Sequence, residues 1–309
     1  MEKANATRDF ALTEVPRRMA ARDANDDASD WGGMDPRNQL NDLTNKEWLK
    51  LTKSVWYSNP GPRDELKSQH PATFGERDIE QVISLFTKEG ETVLDPFLGS
   101  GSTLIACTAT GRRGIGIELV PRWIDVARER LAKQSGPAGQ PDLFSTEDMW
   151  EIIEGDSSQA LKEFEDASVD LVVTSPPYWN ILAKEGGAKT GNERAHLPTK
   201  YSEREDDLGN VSDYDEFLAF LSGIWRECNR VLRPGRYMVV VVSDFRQRER
   251  YYLYHADIAR SIEEIGMVLK GTTVLVQDNK GLYAYGIPWA YVPNVHHQIM
   301  LILQKPKED

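Results

Sequence analysis

The sequence has little cysteine, little histidine and no long apolar run. Its two cysteines, Cys107 and Cys228, have no second Cys or His at metal-ligand spacing, so we expect neither disulfides nor structural zinc. No segment approaches the ~18 apolar residues of a membrane span, and charged residues stand where a signal peptide would need apolar ones. We therefore expect a cytoplasmic protein with no membrane partner. His255 and the pair at 296–297 lack a carboxylate at suitable spacing, so we expect no metal.

Basic residues are also in deficit. There are 37 Lys and Arg against 49 Asp and Glu, which gives a formal net charge of −12. Binding to nucleic acid depends on a local basic face and not on this sum, so the deficit does not exclude it. Acidic residues concentrate at 23–30 and 203–207, whereas 184–200 and 246–250 lean basic. This distribution is compatible with one DNA-facing side.

The chain reads as a polar tail followed by one α/β domain. Residues 1–36 are charged and without periodicity, which predicts a flexible tail, and 37–309 predict a single domain. Thr44 is predicted to cap a helix whose anchors are Trp48, Leu49 and Leu51. Short apolar runs then alternate with amphipathic helices, which predicts a parallel sheet covered by helices. The predicted strands are 92–95, 114–118, 150–156, 169–174, 237–242, 272–277 and 298–303.

A glycine loop follows the first predicted strand. Gly99 and Gly101 stand where that strand turns into a helix, so the backbone there can approach a ligand or adopt positive φ. Glu118 ends the next strand, where an acidic residue typically holds ribose hydroxyls. Asp95 would repel a pyrophosphate but suits a cationic amine, which favours S-adenosylmethionine over a dinucleotide. Asp156, after the third strand, is either an acceptor for an adenine amino group or a helix cap.

The string TSPPYW follows the fourth predicted strand. Ligands of open parallel sheets bind outside the carboxyl ends of the strands, so this string and the glycine loop lie side by side if their strands are neighbours. An exocyclic amino group of a base is a poor nucleophile until acceptors engage its hydrogens. The Ser175 hydroxyl and the Pro176 carbonyl are two such acceptors. Tyr178 offers a face for stacking an extruded base, and Trp179 either does the same or packs the loop.

These motifs resemble those of the amino-group DNA methyltransferases, which methylate N4 of cytosine or N6 of adenine. The match covers DPFLGSGST, TSPPYW, HPATF at 70–74, YHAD at 254–257 and YVPNVHH at 291–297. The resemblance implies a class I, Rossmann-like fold with a seven-stranded, mostly parallel sheet, helices on both faces and an antiparallel last strand. It implies a catalytic string of Ser175, Pro176, Pro177 and Tyr178. The implied S-adenosylmethionine site comprises His70, Pro71, Phe74, Asp95, Pro96, Phe97, Gly99, Ser100, Gly101, Thr103, Glu118, Leu119, Asp156 and Ser157.

The resemblance leaves the target base and several partners open. Serine before Pro-Pro-Tyr is typical of the cytosine-N4 enzymes, so we favour cytosine and keep adenine, an RNA base or a protein amide as alternatives. A fold that retains binding without catalysis is disfavoured by the intact motifs. The implied substrate is a flipped base in double-stranded DNA, and a cognate restriction system is a candidate partner. The expected state is a monomer or weak dimer, in the cytoplasm of a prokaryotic cell or phage-encoded.

The sequence contains no large target-recognition insertion, which is a departure from the family pattern. Target recognition is therefore predicted to fall to loops at 181–211, 245–254 and 278–295. The predicted DNA contacts are Trp179, Lys184, Arg194, Arg246, Arg248 and Arg250, and for the three last arginines a solvated charged face is the alternative.

Overall fold

The computed structural model describes residues 32–59, 65–66, 75–134, 149–179, 208–247, 249–278 and 280–307. The predicted tail at 1–36 lies outside these residues except for 32–36. The helices are α1 (Asn45–Leu51), α2 (Glu76–Phe86), α3 (Ser102–Ala109), α4 (Pro121–Gln134), α5 (Ser157–Ala160), α6 (Tyr214–Val231) and α7 (Tyr254–Glu263). The strands are β1 (Val55–Tyr57), β2 (Thr92–Asp95), β3 (Arg113–Glu118), β4 (Trp150–Glu154), β5 (Val169–Thr174), β6 (Leu232–Val242), β7 (Phe245–Gln247), β8 (Arg250–Tyr252), β9 (Val268–Val276) and β10 (His297–Gln304).

One mostly parallel sheet organises the described chain. Its strand order is β1-β9-β10-β6-β5-β2-β3-β4, and β10 runs antiparallel to both of its neighbours while the other pairs are parallel. This confirms the class I methyltransferase architecture with its antiparallel last strand. All seven predicted strands are present, and β1 adds an eighth at the edge. Strands β7 and β8 form a separate antiparallel hairpin.

Helices cover both faces of the sheet because its central strands are apolar on both sides. Every residue of β5 is buried, as expected for a parallel strand with helices above and below it. Val172 packs into one cluster with Phe217 of α6 and Ile258 of α7. Leu171 and Val173 face a second cluster that contains Ile79 and Ile83 of α2.

The N-terminal helix α1 confirms one prediction and contradicts another. Thr44 caps it through a full capping box with Glu47, as the sequence predicted. Trp48 and Leu49 were predicted to anchor this helix, but they are 38% and 52% exposed. Leu51 alone of the three packs partly against the core. A seven-residue helix at the border of the domain presents only one narrow stripe to its neighbours.

Both cysteines are buried thiols, as predicted. Burial raises the pKa of Cys107 and of Cys228 far above the ordinary thiol value, so both remain protonated. Within the described ranges, no helix combines the length and apolar character needed to cross a membrane.

The parallel direction of the strands decides where chemistry can occur. Strands β2, β3, β4, β5, β6 and β9 all end at the same edge of the sheet, since β9 and β6 are both antiparallel to β10. We call this the carboxyl edge. The glycine loop follows β2 there, and the TSPPYW string follows β5.

Candidate active site

The glycine loop and the TSPPYW string meet at the carboxyl edge. Strands β2 and β5 are neighbours in the sheet, with Leu94 opposite Val172. At their ends the Thr174 hydroxyl donates a hydrogen bond of 2.6 Å to Asp95. The prediction that these two segments lie side by side is therefore confirmed.

Asp95 is the hub of this junction. Its side chain is fully buried, and besides Thr174 it accepts from the Thr103 hydroxyl at 2.5 Å and from the Phe97 backbone N–H at 3.0 Å. Burial raises the pKa of Asp95 to about 6, and these three hydrogen bonds oppose that rise. The sequence placed Asp95 and Thr103 among the cofactor contacts. In the structure, Asp95 joins the glycine loop to the start of the TSPPYW string, and Thr103 supports it.

The glycine loop has the backbone conformation that its sequence predicts. Gly99 has φ +55° and Gly101 has φ +82°, both in the left-handed region. A Cβ on Gly101 would lie 2.8 Å from the Cβ of Ala127 in α4. The backbone of the glycine loop therefore packs directly against the Ala127 side chain. No residue larger than glycine fits at 101 without displacing α4.

Glu118 ends β3 beside this loop. Its side chain accepts from the Gly99 N–H and from the Val120 N–H, each at 2.8 Å. It is 9% exposed, and each carboxylate oxygen can accept more than one hydrogen bond. The geometry fits the predicted ribose acceptor, and the half-buried Leu119 follows it at the edge.

Asp156 is seen as a helix cap, one of its two predicted roles. It accepts from the Ser158 N–H at 2.8 Å and from the Ser158 hydroxyl at 2.7 Å, at the start of α5. The neighbouring Ser157 is buried, and its hydroxyl donates to the Pro96 carbonyl. Ser157 therefore ties α5 to the glycine loop, whereas a contact of Asp156 with adenine stays a prediction.

Arg130 is a positioning residue that the sequence reasoning missed. It lies in α4 at 2% exposure, donates to the Ser100 carbonyl and hydroxyl of the glycine loop, and forms an ion pair with Glu76 at the start of α2. A signal was present, because Arg130 shares a helix face with Trp123 and Ala127, both buried. A charged residue on an apolar face requires a buried partner.

The proline pair of the string is held by α7. Pro176 is buried, while Ser175 and Pro177 are half-buried. The Pro177 carbonyl accepts a hydrogen bond of 2.9 Å from the hydroxyl of Tyr254, which is fully buried in the core. Tyr254 was not predicted as a site residue, since its contact spans 77 residues of sequence.

Tyr178 is more enclosed than the sequence indicated. It is 9% exposed, and its hydroxyl accepts from the Ser243 N–H at 2.9 Å. Burial raises the pKa of Tyr178, while hydrogen bonds from the Ser243 backbone and from the side chains of Gln298, Ser243 and Ser175 oppose the rise. The Tyr178 hydroxyl is thus held by Ser243, directly after β6. A positioning role is what this geometry supports, and base stacking on Tyr178 stays a prediction.

Trp179 packs the loop, which is the second of its two predicted roles. It is 8% exposed, and its indole N–H donates to the Val211 carbonyl at 2.9 Å. Its ring lies 5.1 Å from that of Tyr214 and 5.4 Å from that of Tyr252. In this arrangement Trp179 supports the hairpin, and a contact of Trp179 with DNA stays a prediction.

The hairpin of β7 and β8, residues 245–252, carries the predicted arginines; we call it the arginine hairpin. Arg250 is exposed, with its guanidinium 4.7 Å above the Tyr252 ring, and Arg246 is half-buried. The hairpin follows β6 at the carboxyl edge. The other predicted site residues lie outside the described ranges, namely His70, Pro71, Phe74, Lys184, Arg194 and Arg248.

A buried acid also contacts the start of α7. Asp244 accepts from the His255 backbone N–H at 3.2 Å, and its carboxylate lies 2.6 Å from His255 Nδ1. The pKa of His297 nearby is lowered, chiefly by burial. In the ranges that the structure covers, no group of three or more His, Cys, Asp or Glu is placed to hold a metal ion.

Comparison with known proteins gives one family. The family model N6_N4_Mtase, described as DNA methylase, matches residues 3–129 and 169–309. Type II methyltransferase M2.DpnII of Streptococcus pneumoniae is 36% identical over 87 residues, which cover 28% of this chain and 32% of that relative. Type II methyltransferase M.Cfr9I of Citrobacter freundii is 40% identical over 79 residues, which cover 26% of this chain and 25% of that relative. The alignments thus span about a third or less of these relatives.

Among solved structures, TTHA0409 from Thermus thermophilus, in complex with S-adenosyl-L-methionine, is 28% identical and covers 50% of this chain and 55% of that one, with a TM-score of 0.35. Because the family match takes in both the glycine loop and the TSPPYW string, together with most of the remaining sequence, the chain belongs to the N6/N4 DNA methylase family.

Proposed function

We propose that this protein methylates the exocyclic amino group of a flipped base in double-stranded DNA, with N4 of cytosine favoured. The observation that carries the proposal is the hydrogen bond between Thr174 and Asp95. It joins a loop suited to a nucleoside cofactor to a string suited to an amino group. Donor and acceptor of the methyl group would then share one crevice, which supplies proximity and orientation.

The residues around the glycine loop fit S-adenosylmethionine. Glu118 offers acceptors for ribose hydroxyls, and Gly99 and Gly101 allow close approach of a ligand to the backbone. Above pH 6 the buried Asp95 places negative charge below the crevice, which favours a cationic ligand. Bound there, the cofactor supplies an electrophilic methyl group on a sulfonium.

The TSPPY string supplies the acceptors for the amino group. Its nitrogen gains positive charge as it attacks, so oxygens aimed at its hydrogens stabilise the transition state more than the ground state. We assign the Ser175 oxygen and the Pro176 carbonyl to this task. The hydrogen bonds from Ser243 to Tyr178 and from Tyr254 to Pro177 hold the string in place before substrate arrives.

The arginine hairpin supports DNA as the substrate. Arg246 and Arg250 stand at the carboxyl edge beside the string, where they can neutralise phosphates on either side of an extruded base. Target recognition by loops 181–211, 245–254 and 278–295, a cognate restriction system, and a monomer or weak dimer remain proposals of the same kind.

The test is to identify the modified base. DNA free of base methylation is incubated with the protein and S-adenosylmethionine, digested to nucleosides and analysed by mass spectrometry. N4-methylcytosine is the expected product, and the Ser175→Ala variant should form it far more slowly. N6-methyladenine alone would show that the serine does not determine the base, and would favour the adenine alternative.

A methyltransferase of an RNA base or of a protein amide is the second candidate. It rests on the same acceptor geometry, which suits any planar amino or amide nitrogen. The two are separated by offering duplex DNA, RNA and protein extract together with methyl-labelled cofactor. Label in the RNA or protein fraction with none in DNA would contradict the DNA assignment.

A further inference from the structure

The connection between β9 and β10 exposes many apolar side chains. We call residues 280–296 the aromatic loop. Fifteen large hydrophobic side chains are exposed in the described chain, and six lie in this loop: Leu282, Tyr283, Tyr285, Ile287, Trp289 and Tyr291. Trp289 is 91% exposed and Tyr291 is 86% exposed. Several large apolar side chains exposed within one short segment indicate an interaction site.

The aromatic loop has a defined internal structure. The Asn294 side chain accepts from the Tyr283 N–H at 2.9 Å and donates to the Tyr283 carbonyl at 2.8 Å. Gly286 has φ +77°, and a Cβ there would lie 2.2 Å from the Ala290 carbonyl oxygen. The N–H groups of Trp289 and Ala290 both donate to the Gly286 carbonyl, at 2.6 and 2.7 Å. A turn with its own internal hydrogen bonds therefore holds the exposed apolar side chains.

The loop is attached to the candidate active site. Its base closes where the Gln277 N–H donates to the His296 carbonyl at 2.8 Å. The Ser243 hydroxyl donates to the next carbonyl, that of His297, at 3.0 Å. The same Ser243 holds the Tyr178 hydroxyl through its N–H. Ser243 thus joins the catalytic string to the first residue of β10, which directly follows the aromatic loop.

The loop also lies at the edge of the sheet where the arginine hairpin begins. The loop leads into β10 and the hairpin follows β6, and Ile299 of β10 lies opposite Val242 at the end of β6. Arg250 extends from β8 of the hairpin. Exposed rings and an arginine on adjoining elements are the combination that binds nucleic-acid strands by stacking and charge.

The lack of acidic residues in the aromatic loop favours DNA over an ordinary protein partner. The chain contains 49 acidic residues in 309, yet none lies between Asp278 and Glu308. The aromatic loop therefore approaches a phosphate backbone without carboxylates of its own that would repel it. An acid-free aromatic surface beside arginines, at the edge where the base is proposed to enter, is complementary to a duplex.

We infer that the aromatic loop fills the gap that opens in the base stack when the target base is extruded, with Trp289 and Tyr291 as the stacking side chains. This inference rests on the proposed function. Extrusion leaves the neighbouring bases unstacked, and apolar or aromatic side chains that enter the step restore part of the lost contact. Rings held outside the fold, beside the catalytic string, are placed for this role.

The test uses a duplex in which the gap already exists. A fluorescein-labelled duplex with one abasic site and the matching intact duplex are titrated with the full chain in the presence of S-adenosylhomocysteine, and anisotropy is measured. We expect the wild type to bind the abasic duplex about tenfold more tightly. In Trp289→Ala that preference should fall to about one, and Trp289→Phe should keep most of it.

Trp48→Ala is the matched control, because Trp48 is an exposed tryptophan in α1, outside the loop. It should retain the wild-type preference. Equal binding of both duplexes by the wild type would overturn the inference and leave the proposed function intact, whereas no binding to either duplex would contradict DNA as the substrate. A wild-type dimer that Trp289→Ala converts to a monomer, with unchanged DNA preference, would overturn it in favour of a second copy of the chain.

Discussion

At the residue scale, the polar groups of the site are held by one another before any ligand binds. Asp95 is shared by Thr103, Thr174 and the Phe97 N–H, and the Tyr178 hydroxyl is held by Ser243. Such buried groups must be satisfied within the protein, since an unpaired one would cost about 1–3 kcal/mol. Several residues expected to contact ligands therefore position the residues that do.

Ser175→Ala should lower turnover much more than cofactor affinity. The hydroxyl is proposed to act on the charge that develops at the amino nitrogen, and loss of one such oriented hydrogen bond reduces turnover by about 10²–10³. Single-turnover rates and calorimetric affinity for S-adenosylmethionine measure the two effects separately. Ser168→Ala, on the residue just before β5, serves as the control and should change neither. Equal loss of rate and affinity would make Ser175 a structural residue.

Asp95 should make stability depend on pH in an unusual direction. Its pKa rises from 3.8 to about 6 on folding, so between these values the folded state binds a proton that the unfolded state has lost. The stability that Asp95 contributes is then fully present below about pH 4 and is lost as the pH rises through about 6, by about 3 kcal/mol. The variant Asp95→Asn lacks this loss.

Urea unfolding of both proteins across this range measures the effect. The free energy of unfolding of Asp95→Asn relative to wild type should increase by about 3 kcal/mol from about pH 4 to about pH 7. Asp125→Asn, at an exposed position in α4, should show no comparable trend. If the difference in free energy of unfolding between the two proteins did not change with pH, Asp95 would have the same pKa in the folded and unfolded states.

At the scale of elements, the site depends on helices that contribute no predicted site residue. Helix α4 reaches the glycine loop through Arg130, and α7 reaches the catalytic string through Tyr254. Helix α2 joins the first of these networks through Glu76. Helices on both faces of the sheet thus hold the segments that form the crevice.

Arg130→Met should destabilise the fold and loosen the glycine loop. It leaves Glu76 and the Ser100 carbonyl without their buried partner, which costs about 3 kcal/mol, and it should weaken binding of S-adenosylmethionine. Urea unfolding and calorimetry measure both effects. Arg128→Met, an exposed position of the same helix, should change stability by less than about 0.5 kcal/mol. Unchanged cofactor affinity in a folded Arg130→Met variant would show that the loop holds its own conformation.

A strand could be predicted where residues close together in the sequence define it. Strands β2 and β5 have the predicted bounds, because each is a short apolar run next to clear turn residues. Strand β6 begins at Leu232, five residues before the predicted start, since Leu232 pairs with Val169 of β5. Strand β1 was missed because only Trp56 of its three residues is buried. Its existence depends on β9, more than 200 residues away in sequence.

At the scale of the whole molecule, an acidic protein carries arginines and exposed aromatic side chains at one edge of its sheet. The formal charge of −12 belongs to the chain as a whole, whereas the carboxyl edge carries the arginine hairpin and the acid-free aromatic loop. An electrostatic attraction between this edge and DNA should be local and sensitive to salt.

Arg250→Gln should reduce the salt dependence of DNA binding. If its guanidinium neutralises one phosphate, the slope of log K against log salt concentration should become shallower by about 1. Anisotropy titrations of a labelled duplex between about 50 and 200 mM salt measure this slope. Arg128→Gln is the control for loss of one exposed positive charge. The same slope in Arg250→Gln and wild type would favour the solvated charged face for this arginine.

The sequence by itself determined the strand and turn pattern and the motifs that place the chain in its family. Apolar periodicity, glycine spacing and the TSPPYW string depend only on residues close to one another in the chain. The tertiary structure decided which groups meet: Thr174 reaches Asp95 across 79 residues, and Tyr254 reaches Pro177 across 77. Burial of a side chain and the partners of its polar atoms depend on the packing of distant segments, so Tyr178 and Trp179 turned inward while Trp289 remained in solvent.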